Sequence, residues 1–483
     1  MKGNNYLFPL AALALCCLAL NFAPDFLYCR GTAVKFLLLP GLAVLACAAL
    51  YLKKKDCLDG PASLFLLGSA AFLLHASFVL AIPYDEMQHD LFGEYGHPAC
   101  IKSFLELGFP CNYLSSGGAG MYYHSPLSPA LAALLLKLNL AAGMPWERAL
   151  ENIQILPLFY TGCATIAAYG IFRELKLKGA ALAVSFALFA FHPSLTVFSG
   201  FINNDPLCFL FCVLTVLFTL RWHNRADTAD IALAALCLGL SSLSKASGGL
   251  AVPALAFIFL HKFYAEKELR AQLCRQFALF LTISAPLCLA WPLFCKLVFG
   301  FPFDYVPHGA KGVFDISALP LWRRFFDFAP ASLSSVFMRL SNGDHNMITA
   351  LVKSSLFGEF RLFRPGTAGF AASAALLAAG AVLFLFSLCC SVAATLKSRG
   401  SEEFAPRCFC SIYIFVWLFM YCIFCLKWPC SYTQNFRYVA AILPVLCAAV
   451  GFRSADKPGC RTAFLLPVSF CVLSFAVWTL AAL

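Results

Sequence analysis

Long apolar runs separated by short charged loops dominate the chain. A helix needs about 20 consecutive apolar residues to cross the hydrocarbon core of a bilayer. Thirteen segments reach or approach that length: roughly 5–24, 33–52, 62–83, 149–172, 179–198, 206–221, 228–243, 247–262, 276–298, 367–396, 408–427, 436–452 and 462–481. The pattern predicts an all-α polytopic membrane protein of about 13 transmembrane helices. The segments 228–243 and 247–262 are short enough to form one hairpin that barely reaches the far interface. The first segment reads as a retained helix. Lys2 alone makes a thin basic region, no small-x-small cleavage pattern precedes Pro24, and the chain stays apolar beyond it.

Composition supports the same class and excludes the soluble ones. Of the 483 residues, 61% are hydrophobic and 12% charged, and Phe alone contributes 50. The mean hydropathy is +0.79. A soluble surface needs about a quarter of its residues charged. The net charge of +11 therefore reads first as membrane topology, and no nucleic-acid partner is expected.

Charge then orients the chain. Six loops, at 53–55, 173–178, 221–225, 262–275, 397–407 and 453–461, carry eighteen Lys and Arg, whereas 84–124 carries only Lys102. The six are expected on the cytoplasmic side, with the N-terminus inside and the C-terminus outside. The loop 299–366, expected outside, nevertheless holds seven cations, among them Arg323, Arg324 and Lys353. Long loops escape the charge rule; alternatively, these cations form a basic surface for an anionic ligand. In the other outer segment, 84–148, the stretch from Ser125 to Ala142 predicts a helix lying in the interface. A span there would reverse the topology of everything after it.

The 24 Cys lie mostly within apolar runs, where a thiol behaves as a small hydrophobe. Cys100 and Cys111 either pair across the first outer loop or remain two thiols. Cys422 and Cys425 have metal-like spacing but fall inside a span.

The candidate chemistry gathers on the outer side. Tyr84-Asp85-Glu86-Met87-Gln88-His89 follows the third span, where adjacent carboxylates need water or partners. Asp85 can accept a proton from an attacking hydroxyl, with Glu86 or His89 orienting it or holding a cation; equally, it can cap a following helix. His124-Ser125-Pro126-Leu127 precedes the interfacial helix and suits ordinary capping, yet adds a second His to one loop. Asn203-Asn204-Asp205-Pro206 reads as a helix start or as a polar contribution to a site. Lys245 is either a snorkelling helix-end cation or a phosphate ligand. Lys353-Ser-Ser-Leu-Phe-Gly-Glu-Phe360 is a polar-aromatic segment, and Asn435-Phe436-Arg437-Tyr438 opens the twelfth span. Arg437 opposes both the helix dipole and the positive-inside trend, so an anionic partner is expected unless it snorkels. A guanidinium suits phosphate oxygens.

Taken in order, Asp85-Glu86, His89, His124-Ser-Pro-Leu, Asn204-Asp205, Ser244-Lys245, Ser355-Leu-Phe-Gly-Glu-Phe360 and Asn435-Phe-Arg-Tyr438 resemble polytopic glycosyltransferases of the GT-C class. Within that class they resemble the bacterial relatives of protein O-mannosyltransferases and lipid A aminoarabinose transferases. The resemblance runs from about residue 62 to 452. It implies a GT-C-like core at 62–452 with outer loops 84–148 and 299–366, preceded by a helix pair at 1–61 and followed by one helix at 453–483. It also implies an integral protein of a bacterial-type inner or plasma membrane, with an extracytoplasmic active site. The implied donor is a polyprenyl-phosphate sugar, and the acceptor a lipid, glycan or protein. By position in the Asp-Glu pair, Asp85 matches the catalytic Asp.

Glu86 joins Asp85 as catalytic, and His89, His124, Asn204, Asp205, Lys245, Lys353, Arg437 and Tyr438 are the implied substrate contacts. A divalent metal held by Glu86 and His89 is the one cofactor left open. The chain departs from the family in reading Ser125-Pro126-Leu127 for Pro-Pro-Leu, and in placing two additional spans before the helix that ends at Asp85. The absence of a large soluble C-terminal domain argues against an oligosaccharyltransferase. A lipid-linked sugar flippase or transporter is the competing class. It predicts charges deep within spans and paired halves, but Lys296 and Asp205 fall near helix ends and no internal repeat is evident. A catalytically dead scaffold is the third reading.

Overall fold

A computed structural model of the chain describes residues 6–86, 88, 96–108, 125–303, 312–329, 335–339, 344–456 and 461–483. His89, His124 and Cys111 lie outside them. Among the described residues the fold is helical, without a strand. The first part runs α1 (Leu7–Asn21), α2 (Leu39–Lys54), α3 (Gly60–Ala81), α4 (His97–Leu107), α5 (Leu127–Ala141), α6 (Trp146–Glu151) and α7 (Ile155–Glu174). The middle runs α8 (Gly179–Ala190), α9 (Pro193–Ser199), α10 (Asp205–Arg225), α11 (Thr228–Ser244), α12 (Val252–Ala265) and α13 (Arg270–Phe299). The last part runs α14 (Leu321–Phe326), α15 (Met347–Phe357), α16 (Ala368–Lys397), α17 (Phe404–Lys427), α18 (Leu443–Asp456) and α19 (Thr462–Ala482).

Each of the thirteen apolar segments contains a helix, but they are unequal in length. Nine helices among the described residues are long and apolar enough to cross a membrane, or ten if the bent pair α8–α9 counts as one span. The others fall short: α1 has 15 residues, α11 has 17 and α18 has 14. At 1.5 Å per residue these reach about 21–26 Å, less than a hydrocarbon core of about 30 Å. For α1 and α18 the apolar run extends beyond the helix, whereas the α11 run is itself short.

The bend in α8–α9 has a local cause. Pro193 cannot donate to the helical ladder. His192 Nδ1 accepts the Ser194 N–H at 3.2 Å, starting a new helix at 42° to the first. The expected interfacial helix is α5, whose 15 residues are too few to span. Its Ala132, Ala133 and Leu136 pack with Ile101 of α4, Ala149 of α6 and Ile202.

The abundant Phe is used chiefly in packing. Phe189 stacks on Phe209 at 6.2 Å, and Phe78 meets Trp478 edge-on at 4.8 Å, locking α3 to α19. One end of the bundle is laced by ion pairs, including Arg225–Glu174 at 2.6 Å and Arg221–Asp230 at 3.0 Å. The opposite ends of α3, α7 and α10 carry the polar segments that the sequence singles out.

Candidate functional site

Four chain segments bring their polar side chains together at that opposite end. Asp205 opens α10, yet its carboxylate does not cap the helix. Instead Asn203 Oδ1 accepts the Asp205 N–H at 2.9 Å, and the carboxylate pairs with Lys245. Lys245 follows α11 with extended backbone, which places its ammonium 4.5 Å from the centre of the Tyr438 ring. Arg437 Nε lies 4.0 Å from Asp205 Oδ2, and its Nη2 lies 3.9 Å from Glu359 Oε1.

Local sequence explains why these groups converge. Gly358, after α15, adopts φ 62° and ψ −138°, a conformation essentially restricted to glycine, and so turns Glu359 back toward the 431–438 segment. Asn435 then works twice: its Nδ2 donates to Glu359 Oε1 at 2.7 Å, and its Oδ1 accepts the Arg437 N–H at 3.0 Å. Ser354 Oγ accepts the Phe436 N–H at 2.8 Å. The result is a set of two part-buried cations beside one phenol ring and two buried carboxylates. Beside it, Asn203 Nδ2 and Asn204 Nδ2 are buried donors with no hydrogen-bond partner among the described residues. Orphaned buried donors are rare and point to a missing acceptor.

Asp85 and Glu86 lie in the short turn Tyr84–Glu86 after α3, and both are exposed. The turn is tethered on two sides. The Tyr84 N–H donates to Glu151 Oε1 at 3.2 Å, which also accepts from Gln154 Nε2 at 2.7 Å. Gln88 Nε2 donates to Ile202 O at 3.3 Å, fastening the segment to the loop that carries Asn203, Asn204 and Asp205. Ser128 Oγ holds that loop from α5 through Asn203 O at 3.0 Å. Burial pushes the Tyr84 phenol up, with the Asp85 and Glu151 carboxylates adding to it. Glu86 pairs with Arg30, a residue between α1 and α2. Asp85 makes no ion pair among the described residues.

Of the sequence-predicted residues, Asn204, Asp205, Lys245, Arg437 and Tyr438 therefore share one cluster, and Asp85 and Glu86 lie on a turn tied to it. Glu359 and Asn435, which the local sequence does not mark as site residues, join the same cluster. A Phe-Gly-Glu turn opposite a buried Arg was the available signal. Lys353 is placed elsewhere. Its ammonium bonds Asp344 at 2.6 Å, and the two side chains are 2% and 1% exposed, so Lys353 serves that carboxylate. Lys353→Ala is expected to cost roughly 3–5 kcal/mol by leaving Asp344 buried and unpaired, read as a fall in thermal unfolding midpoint. The double change Lys353→Met with Asp344→Leu should recover most of it. Among the described residues no group of three His, Cys, Asp or Glu is placed to hold a metal ion; the Glu86 carboxylate faces Arg30, and His89 lies outside those residues.

Comparison with known proteins follows this geometry. Residues 124–293 match the family model of dolichyl-phosphate-mannose-protein mannosyltransferases. The matched part begins just before α5, runs into α13 and includes Asn204, Asp205 and Lys245. No curated protein matches the chain. Among solved structures it is similar to the Archaeoglobus fulgidus oligosaccharyltransferase tethered to an acceptor peptide. That likeness has TM-score 0.48 and 16% identity, over 86% of this chain and 55% of the other. It is also similar to ArnT from Cupriavidus metallidurans bound to undecaprenyl phosphate, with TM-score 0.47 and 12% identity, over 88% and 77%. The chain thus spans just over half the length of the oligosaccharyltransferase. The family match covers residues 124–293 of a helical architecture in which nine helices among the described residues are long and apolar enough to cross a membrane.

Proposed function

We propose that the protein transfers one sugar from a polyprenyl-phosphate donor to an acceptor hydroxyl on the extracytoplasmic side. The observation that carries this reading is the cluster of Lys245, Arg437, Asp205 and Glu359, tied through the 202–205 loop to an exposed Asp85 that makes no ion pair among the described residues. Lys245 and Asp205 lie within the segment that matches the mannosyltransferase family.

In this reading the acceptor hydroxyl attacks the anomeric carbon as Asp85 takes its proton. The bond from that carbon to the phosphate oxygen breaks, and the sugar leaves with inverted configuration. A phosphate departs as an anion, so it needs cations rather than a general acid. Lys245 and Arg437 supply them, and the orphaned amides of Asn203 and Asn204 supply donors to phosphate or sugar oxygens. A glycosidase would instead need two carboxyls of opposite role flanking the bond.

Purified protein incubated with radiolabelled polyprenyl-phosphate sugars tests the reading. Expected is time-dependent release of polyprenyl phosphate with sugar transferred to acceptor or water. Protection of the donor from an outside probe without turnover would favour a flippase and sink the proposal.

A further inference from the structure

One large cavity belongs to no part of the proposed site. It measures about 900 Å³ and lies between the two additional helices and the core, walled by α1, α2, α3 and α7 with one residue of α8. Its lining is mainly aliphatic and aromatic, with Leu13 and Leu20 from α1, Val44 from α2, Phe65 and Phe72 from α3 and Ile166 from α7. On α3 it extends from Pro61 to Ala76, about 22 Å along the axis. Such a volume is at the upper end for a single enclosed ligand. A membrane-crossing helix, about 10 Å wide and 30 Å long, would need on the order of 2,000 Å³. The space fits one lipid's chains.

One end of this cavity is polar and basic. Arg173, in the last turn of α7, lines it and is exposed. Its Nη1 donates to the Tyr169 hydroxyl at 3.1 Å, and Tyr169 is held edge-on by Phe186 at 6.2 Å. Among the described residues no carboxylate pairs with Arg173, since the adjacent Glu174 is taken by Arg225 at 2.6 Å. Lys53, Lys54 and Lys55 follow at the same end of α2 and are exposed. Of the two acids in that turn, Asp59 caps α3 through the Ala62 N–H at 2.8 Å, and Asp56 is the other. The balance is cationic, and basic pockets at helix ends on the Lys/Arg-rich side of a membrane protein suit anionic lipid headgroups.

We propose that this cavity holds one anionic glycerophospholipid of the surrounding bilayer, with its chains between α1, α2, α3 and α7 and its phosphate at Arg173 and Tyr169. The occupant is not the sugar donor. Arg173 and Glu151 stand at opposite ends of the α6–α7 segment, about 33 Å apart along it, and Glu151 is at the Asp85 end. A donor with its phosphate among Lys245 and Arg437 cannot also place it at Arg173, and no residue of that cluster lines the cavity. The additional helix pair thereby gains a role: it closes a lipid seat against the core.

The test uses full-length protein in nanodiscs of equal phosphatidylglycerol and phosphatidylcholine, with retained lipid read by native mass spectrometry. Expected is one retained phosphatidylglycerol per chain. Arg173→Gln, an exposed change that leaves the fold intact, should lower the preference for phosphatidylglycerol about tenfold, the scale of one charge-assisted contact. Ser69→Phe, which places a ring in the cavity wall, should abolish retention of either lipid. Unchanged preference in Arg173→Gln, or unchanged retention in Ser69→Phe, overturns the proposal. So does one-for-one displacement of phosphatidylglycerol by added polyprenyl phosphate, which would make the cavity a donor site.

Discussion

Asp85→Asn is expected to cut sugar transfer by about 10²-fold or more, the usual scale for losing a general base, while donor binding stays close to the parent value. Asn keeps the shape of the side chain and removes only the proton acceptor. The turn itself is held by backbone and neighbouring groups, through Tyr84 to Glu151 and through Gln88 to Ile202, and not by the Asp85 carboxylate. Asp85 is exposed, so its replacement should change stability by no more than about 0.5 kcal/mol. A fall in turnover with an unshifted unfolding midpoint therefore isolates the chemistry. Glu86→Gln serves as the comparison. Its carboxylate is already engaged by Arg30, so its loss should be clearly milder. Near-parental turnover in Asp85→Asn would remove Asp85 from the mechanism.

Much of this architecture was legible because membrane helices announce themselves by length and hydropathy. The break at His192-Pro193 was not, since both halves are equally apolar and the cause is one missing donor. Arg437 shows a subtler limit. Its sequence position argued for an anionic partner, and the protein places two of its own carboxylates, Asp205 and Glu359, within 4.0 Å of it. Those residues are 232 and 78 positions away in sequence, beyond any local spacing rule. Asp205 likewise offered capping as one reading, because Asp before Pro at a helix start suits it. Its neighbour Asn203 supplies that bond, freeing the Asp205 carboxylate for Lys245. Lys353 shows the reverse: a cation in a basic outer loop invited a phosphate, while Asp344, nine positions earlier, already neutralises it.

The second large effect is expected at Arg437, where charge and geometry can be separated. Its side chain is 8% exposed and stands between Asp205 and Glu359, with its Nη2 donating to the Tyr438 hydroxyl at 3.3 Å. Arg437→Ala leaves Lys245 to balance two buried carboxylates. Removing one partner from such a set costs roughly 3–5 kcal/mol, so lost turnover in this variant mixes folding with catalysis. Arg437→Lys keeps the charge, and with it most of the stability, but loses the planar fork that meets phosphate oxygens in two places. Charge develops on the leaving oxygen as the bond breaks, so contacts to it strengthen in the transition state.

Turnover of Arg437→Lys should accordingly fall about 10- to 100-fold, on the scale of one lost transition-state donor. Apparent donor affinity should fall less, with an unfolding midpoint near that of the parent. Arg437→Ala should lose both activity and midpoint. Glu359→Gln provides the control for electrostatic balance, because Asn435 still has an oxygen to donate to there while one negative charge is gone. If Arg437→Lys turns over at the parental rate with saturating polyprenyl-phosphate sugar, Arg437 serves only to neutralise Asp205 and Glu359. Stabilisation of the leaving phosphate would then rest on Lys245, whose ammonium pairs with Asp205 and lies 4.5 Å from the centre of the Tyr438 ring.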